Sequence, residues 1–138
     1  PTHSDLIERG LLAGKAVFCE KPIDLSIDRV NAVLETTRDC TAPFLLGFNR
    51  RFDPAIDSLH ERVRAGDIGD VELVTIISKD PEPPPVEYIR VSGGLFRDMT
   101  IHDIDMARFM LGEEPVSVVA TASALTSKDI ADENDVDT

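Results

Sequence analysis

The chain has 138 residues, of which 42% are hydrophobic and 29% are charged, a composition typical of a soluble globular protein. Its formal net charge of -12 argues against nucleic-acid binding, which needs a clustered basic surface, and no apolar run approaches the roughly 20 residues that span a bilayer. Two cysteines, Cys19 and Cys40, are too few for a disulfide scaffold. We therefore expect a protein of the reducing cytoplasm, with neither nucleic acid nor a membrane among its partners.

The first part of the sequence predicts alternating helices and strands. A helix is expected near residues 4–12, followed by a short apolar strand over 16–19. Ser26 is expected to cap a second helix that runs to about Arg38, and residues 43–47 have the pattern of a buried strand. Helix, strand, helix and strand at this spacing predict a parallel sheet, because parallel neighbours need a crossover connection.

Polar residues follow both predicted strands. Glu20, Lys21 and Pro22 come after the first strand, and Asn49 and Arg50 come after the second. Ligands of open α/β sheets bind at the carboxyl ends of the strands, so both segments are candidate site loops. Lys21 at such a position is a good donor to ligand hydroxyls, and the competing interpretation is an ordinary surface ion pair with Glu20.

The second part of the sequence predicts a helix, two strands and a proline-rich loop. The helix is expected over 53–66, with Asp53 as its cap. Residues 71–78 and 116–124 are rich in β-branched side chains and predict strands of antiparallel type. Between them, four prolines within 81–85 exclude regular structure and predict a stiff strap across the mouth of a cleft.

A predicted helix that ends at Gly112 carries a polar stripe. At the helical step of about 100° per residue, Asp98, His102 and Asp105 fall within an arc of about 60°. Asp103 and Arg108 lie away from this stripe and are expected to be exposed. The stripe indicates a site, but Asp98 could instead cap the helix and His102 could be an ordinary polar side chain.

An imidazole, an ammonium and two carboxylates at one sheet edge suit the removal of a proton from an alcohol. The unperturbed pKa of a histidine, about 6.5, lies near working pH, and a neighbouring carboxylate would stabilise the imidazolium. A nicotinamide ring beside the alcohol carbon would then accept a hydride. The eight glycines of the chain contain no G-x-G-x-x-G pattern, so a pyrophosphate cradle is not predicted within it.

Three stretches resemble the Gfo/Idh/MocA oxidoreductase family over nearly the whole chain. They are GKAVFCEKP at 14–22, GFNRRFDP at 47–54 and GGLFRDMTIHDID at 93–105. The first is shared across the family, whereas the second and third resemble the inositol dehydrogenases more narrowly. The resemblance implies that NAD, or NADP, takes a hydride from a ring carbon of a polyol, as in the oxidation of myo-inositol to 2-keto-myo-inositol.

The resemblance also implies roles for individual residues. His102 would be the general base, and Lys21 and Asp98 would complete the catalytic set. Four further residues would bind the substrate, and Glu20 and Pro22 would join Lys21 in contacting the cofactor. The four implied substrate-binding residues are Asn49, Arg50, Asp80 and Asp105. Asp105 would hold a substrate hydroxyl or support His102.

The implied fold is α/β, in two parts. Residues 1–47 would be the C-terminal remnant of a Rossmann-like dinucleotide-binding domain with a parallel sheet. Residues 48–138 would begin an α+β substrate domain with a mainly antiparallel sheet. Because relatives carry a nucleotide-binding unit before this segment and further strands after it, we expect an internal fragment of a longer homo-oligomeric enzyme, inactive by itself.

Three alternatives remain open from the residues. The chain could belong to a dehydrogenase of another sugar or polyol within the same family. It could instead be a non-catalytic module that binds polyols through the same polar groups. A metal site at Asp98, His102 and Asp105 is the weakest alternative, since one histidine and two carboxylates on a single helix give incomplete ligation, and no metal is expected.

Overall fold

The computed structural model describes residues 2–138, which form two units, the first ending at Phe48 and the second beginning at Asn49. No helix in this described range is long and apolar enough to cross a membrane. The first unit contains α1 (His3–Leu12), β1 (Val17–Cys19), α2 (Ile27–Thr36) and β2 (Phe44–Leu46). The second contains a 3-10 turn (Asn49–Phe52), α3 (Pro54–Arg64), α4 (Val86–Ser92), a π-helical stretch (Phe96–Thr100), α5 (Ile101–Leu111) and α6 (Lys128–Asp132).

The first unit confirms the predicted alternation of helices and parallel strands. β1 and β2 pair in parallel, with Val17 opposite Phe44, and α2 lies in the connection between them. The Oγ atom of Ser26 accepts a hydrogen bond from the backbone N–H of Arg29, as expected of a helix cap. Ile7 and Val33, which are 1% and 0% exposed, form the centre of an apolar core shared by α1 and α2.

The predicted helix after residue 53 is also confirmed, as α3. The carboxylate of Asp53 accepts hydrogen bonds from the backbone N–H groups of Ala55 at 2.9 Å and Ile56 at 3.2 Å. Pro54 occupies the first helical position, where its missing N–H costs nothing. The residue types at this boundary therefore determine where the helix begins.

The two predicted antiparallel strands are not formed. No strand occurs within 71–78 or 116–124, and the one sheet in the described part of the chain is the pair β1 and β2. Leu73 is 81% exposed and Val119 is 92% exposed, so these apolar side chains do not pack into a core. A β-strand needs a hydrogen-bonded neighbour, and high β-propensity without such a neighbour gives no sheet.

Helix α4 was not predicted, because the prolines before it indicated only a loop. Pro85 ends the proline-rich segment and serves as the N-cap residue of α4. Its carbonyl oxygen accepts hydrogen bonds from the N–H groups of Tyr88 at 2.9 Å and Ile89 at 3.1 Å. Pro85 precedes the first helical residue, where its missing N–H breaks no helical hydrogen bond, so this loop leads directly into regular structure.

The turn between α4 and the π-helical stretch depends on glycine. Gly94 has a φ of +76°, and a Cβ atom on it would lie 2.4 Å from the Oδ1 atom of Asp135. The same carboxylate accepts a hydrogen bond from the N–H of Leu95 at 3.2 Å. The helix α5 ends before Gly112, as predicted, and the φ of 69° at this glycine is left-handed.

Candidate active site

The loop after β1 is packed closely against the end of β2. The N–H of Gly47 donates to the carbonyl oxygen of Cys19 at 2.7 Å. The carboxylate of Glu20 lies where a Cβ atom on residue 47 would come within 3.0 Å of it. A side chain at position 47 would therefore displace Glu20, and the glycine permits the two strand-end segments to lie side by side.

Contacts with α1 hold the segment that carries Lys21. The carbonyl oxygen of Pro22 lies 2.8 Å from the Nδ1 atom of His3, and the Lys21–Pro22 peptide is cis. The buried hydroxyl of Ser4 donates to the carboxylate of Asp24 at 2.6 Å. This hydrogen bond and that from a backbone N–H lower the pKa of Asp24. The half-buried Lys21 thus lies in an ordered loop at the carboxyl end of β1.

The polar stripe predicted from an ideal α-helix is divided between two elements. Asp98 lies in the π-helical stretch, whereas His102 and Asp105 lie in α5. Because hydrogen bonds in a π-helix run from i to i+5, the angular spacing of an α-helix does not apply to Asp98. The three side chains consequently have different surroundings.

Asp105 is paired with an arginine from the 3-10 turn. Its side chain is 3% exposed and accepts from the Nε and Nη2 atoms of Arg51 at 2.8 and 2.5 Å. The hydrogen bond to this carboxylate raises the pKa of Arg51. The guanidinium also lies 5.1 Å from the ring centroid of Phe109, which stacks on His60 at 3.8 Å. Asp105 is thereby bound within the protein.

The expectation that Asp103 is exposed was wrong. Its side chain is 24% exposed, and its carboxylate accepts from Arg50 and from the hydroxyl of Ser78, both at 2.6 Å. Arg108, predicted exposed as well, is 45% exposed and pairs with Glu114. Helical projection failed for Asp103 because it places residues around one helix but does not show which neighbour packs there.

Asp80 and Asp98 line the same cavity, of about 380 Å³. The proline-rich loop forms one wall of it, in keeping with the strap expected from the sequence. Tyr88 of α4 also lines the cavity, and it was not predicted as a site residue although it is the one tyrosine of the chain and lies three residues after the last of these prolines. Partial desolvation raises the pKa of Tyr88, as do its hydrogen bond to Asp98 and the charge of that carboxylate. The remaining lining residues are Pro81, Glu82, Pro84 and Met99.

The other predicted site residues in this unit are placed as follows. His102 is half-buried in the first turn of α5, and its Nδ1 atom is shielded from solvent. Asn49 is exposed in the 3-10 turn, whereas the neighbouring Arg50 is half-buried against Asp103. Residues 2–138 contain no cluster of three or more histidine, cysteine or acidic side chains suited to a metal ion. The second unit therefore contains a shielded imidazole atom and a cavity lined by carboxylates and a phenol.

Both parts of the chain match one protein family. Residues 56–138 match the GFO/IDH/MocA C-terminal domain, and residues 1–48 match the oxidoreductase family with its NAD-binding Rossmann fold. The chain belongs to the GFO/IDH/MocA family. This finding confirms the resemblance found in the sequence and the α/β fold class, with a Rossmann-like part followed by the family's C-terminal domain.

Relatives within the family include inositol dehydrogenases. The inositol 2-dehydrogenase of Rhizobium meliloti (strain 1021) is 60% identical over 136 residues, which are 99% of this chain and 41% of the relative. The structure of a myo-inositol dehydrogenase from Corynebacterium glutamicum ATCC 13032 superposes with a TM-score of 0.93 at 50% identity, over 99% of this chain and 40% of that one.

A further solved structure contains ligands. The scyllo-inositol dehydrogenase from Lactobacillus casei, with bound NAD(H) and scyllo-inositol, is similar with a TM-score of 0.81 at 34% identity. The match covers 97% of this chain and 41% of that one. The chain thus spans about 41% of the length of the relatives that it matches.

Proposed function

We propose that this chain is part of an NAD-dependent dehydrogenase that oxidises a ring carbon of myo-inositol to a ketone. The observation that carries the proposal is the 60% identity, over 136 residues, to an inositol 2-dehydrogenase. In this proposal the 138 residues supply the side chains that contact the substrate and those at the ends of the two strands. The rest of the nucleotide-binding domain belongs to the longer protein that contains these residues, which is here called the parent dehydrogenase. The chain alone is expected to be inactive.

The strand-end residues of the first unit fit a nicotinamide cofactor. The ammonium of Lys21 donates and the carboxylate of Glu20 accepts hydrogen bonds, which suits the hydroxyls of a ribose. Because Gly47 has no side chain, the carboxylate of Glu20 can occupy the space beside it. We assign Glu20, Lys21 and Pro22 to cofactor binding, and favour NAD over NADP because the Lactobacillus casei relative holds NAD(H).

His102 acts as the general base in the proposed reaction. Its imidazole takes the proton of the substrate hydroxyl while the carbon–oxygen bond becomes a carbonyl, and the hydrogen on that carbon leaves with its electron pair. The bound cofactor supplies the acceptor of this hydride. Lys21 donates to the reacting hydroxyl oxygen, and Asp98 holds a substrate hydroxyl beside the base. The products are a ketone, a reduced nicotinamide and a protonated His102.

The cavity beside Asp98 suits a ligand with many hydroxyl groups. Carboxylates accept hydrogen bonds from hydroxyls, and Asp80 and Asp98 both line it. Asn49, Arg50 and Asp105 are the other residues proposed to contact substrate, although Arg50 and Asp105 already form ion pairs. A second candidate substrate is scyllo-inositol, which the Lactobacillus casei relative binds. A polyol-binding module without hydride transfer would use the same cavity.

Domain assignment, assembly and location are also proposals. We assign residues 1–47 to the dinucleotide-binding domain and 48–138 to the substrate domain. The apolar side chains left exposed within 71–78 and 116–124 support association into a homo-oligomer, because such side chains are commonly covered by partners. The free thiols of Cys19 and Cys40 support a reducing cytoplasm.

The test is nicotinamide reduction by the parent dehydrogenase and by the 138-residue chain. With NAD and myo-inositol, the parent is expected to produce reduced nicotinamide, and the His102→Ala variant is expected to lose about 100-fold or more in kcat. The chain alone should give no signal. A parent that binds myo-inositol without reducing NAD would favour the polyol-binding module, and activity with another sugar only would change the assigned substrate.

A further inference from the structure

Two consecutive arginines hold two carboxylates that follow His102 in α5. Arg50 donates to Asp103 at 2.6 Å, and Arg51 donates to Asp105 through two nitrogens. Both arginines lie in the 3-10 turn, 53 and 54 residues from their carboxylates in the chain. One short turn therefore contacts α5 at the first and at the third residue after His102.

The backbone just before His102 departs from a regular α-helix. Thr100 is the N-cap residue of α5, but no side-chain hydrogen bond caps the helix there. The preceding π-helical stretch interrupts the α-helical hydrogen-bond pattern just before His102. Because the hydrogen-bond pattern changes just before His102, tertiary contacts with α5 can contribute to the direction of this side chain.

The ion pair between Arg51 and Asp105 is suited to fixing the direction of His102. Two parallel hydrogen bonds from a planar guanidinium fix the angle between the groups as well as their distance. Arg51 also packs over Phe109, which stacks on His60 of α3 with an interplanar angle of 18°. The guanidinium is thereby fixed on two sides, and through the 3%-exposed Asp105 it restricts rotation of α5.

We propose that Arg51, acting through Asp105, is a positioning residue that orients His102 for proton abstraction. The proposal rests on the proposed function, in which His102 is the base. It also gives Asp105, which is proposed to contact substrate, a second role in holding α5. Residues three apart on a helix are neighbours, so a rotation at Asp105 moves the imidazole of His102 directly.

Steady-state kinetics of the parent dehydrogenase test the proposal. Arg51→Gln is expected to lower kcat about 100-fold, the cost of a displacement of about 1 Å, with KM for myo-inositol changed less than about threefold. Arg51→Lys keeps the positive charge but cannot form two parallel hydrogen bonds to Asp105, so its kcat is expected to stay low. The control is Arg62→Gln, because Arg62 forms an exposed ion pair with Asp67 and should leave both constants unchanged. Unchanged kcat in Arg51→Gln, or full activity in Arg51→Lys, would overturn the proposal.

A second measurement does not depend on turnover. The 138-residue chain has three histidines, so the side-chain NMR signals of His102 can be identified by their loss in His102→Gln. Arg51→Gln should shift these signals and Arg62→Gln should not. An unchanged His102 signal in Arg51→Gln contradicts the positioning role. If the parent oxidises no polyol but the signal still shifts, the proposed function fails while the positioning of the imidazole by Arg51 stands.

Discussion

The two units of the chain are stabilised by different kinds of contact. In the first, Ile7, Leu11 and Val33 form a continuous apolar cluster between two helices and a parallel sheet. In the second, each of the buried apolar residues Ile89, Met106 and Ile130 lies on a different helix. Ion pairs join the elements there, and they are Arg50–Asp103, Arg51–Asp105 and Arg90–Glu133.

The difference indicates which contacts mainly stabilise the fold and which mainly position side chains. Apolar contacts are non-directional and give stability in proportion to the area removed from water. Hydrogen-bonded ion pairs add little net stability but define angles and register. The second unit contains His102 and the cavity beside Asp98, and directional ion pairs join its elements. Such contacts are expected where side chains must be held in a defined geometry.

The largest effect is expected from the apolar core of the first unit. Ile7→Ala should lower the free energy of unfolding by about 3 kcal/mol, because it removes a side chain that is 1% exposed and leaves a cavity. Leu6→Ala is the control, since Leu6 is 58% exposed on the same helix and should cost less than about 1 kcal/mol. Urea denaturation followed by circular dichroism measures both. Equal losses would remove the distinction between core and surface.

Breaking the buried ion pair of the second unit should cost less. Asp105→Asn is expected to lower the free energy of unfolding by about 2 kcal/mol, because Arg51 loses its charged partner but is 36% exposed and can be hydrated. Glu114→Gln breaks an exposed pair and should cost less than about 0.5 kcal/mol. Fluorescence of the single tyrosine, Tyr88, reports unfolding of this unit. If the two variants are equally stable, ion pairs do not organise the second unit.

Alanine substitutions at two glycines distinguish the effect of backbone strain from the effect of a contact with Asp135. Gly94 and Gly69 have φ angles of +76° and +74°, so alanine is strained at both positions. Only at Gly94 does a Cβ atom approach Asp135, and it would displace the carboxylate from the N–H of Leu95. Gly94→Ala should therefore lose about 1 kcal/mol more stability than Gly69→Ala. Identical losses in thermal unfolding would show that the Asp135 contact is unimportant.

The smallest effect concerns the ionisation of Tyr88. Desolvation and the Asp98 carboxylate raise its pKa, so phenolate absorbance should appear above the ordinary value of about 10. Asp98→Asn removes the negative charge and should lower the pKa, whereas Asp129→Asn is the control, because Asp129 is not among the groups that raise the Tyr88 pKa. Since the folded-state pKa exceeds the unfolded one, this contribution to stability is complete below about pH 10 and is lost as pH rises towards the folded value. A Tyr88 pKa unaffected by Asp98→Asn would contradict the hydrogen bond between them.

The sequence predicted local features well and long-range ones poorly. Asp53 and Pro54 determine a helix start from their own chemistry, and the first unit needs only neighbouring segments. The strands expected over 71–78 and 116–124 depend on hydrogen-bonded neighbours that composition does not reveal.

The candidate site shows the same limit. The stripe of Asp98, His102 and Asp105 assumed a uniform α-helix, but a π-helical stretch holds Asp98. The pairing of Arg51 with Asp105 joins residues 54 apart, and no spacing rule connects them. The family could be recognised from the sequence because the resemblance depends on short motifs. The contacts of each motif residue could not be predicted, because they depend on packing.

The transfer of deuterium tests the central claim most directly. The parent dehydrogenase is incubated with NAD and myo-inositol carrying deuterium on the ring carbon to be oxidised, and the reduced nicotinamide is analysed by mass spectrometry. The proposed mechanism predicts one deuterium in each reduced nicotinamide, because the hydride comes from that carbon, and loss of this product in His102→Ala. Reduced nicotinamide without deuterium, or none at all, would contradict the assignment of this chain to an inositol dehydrogenase.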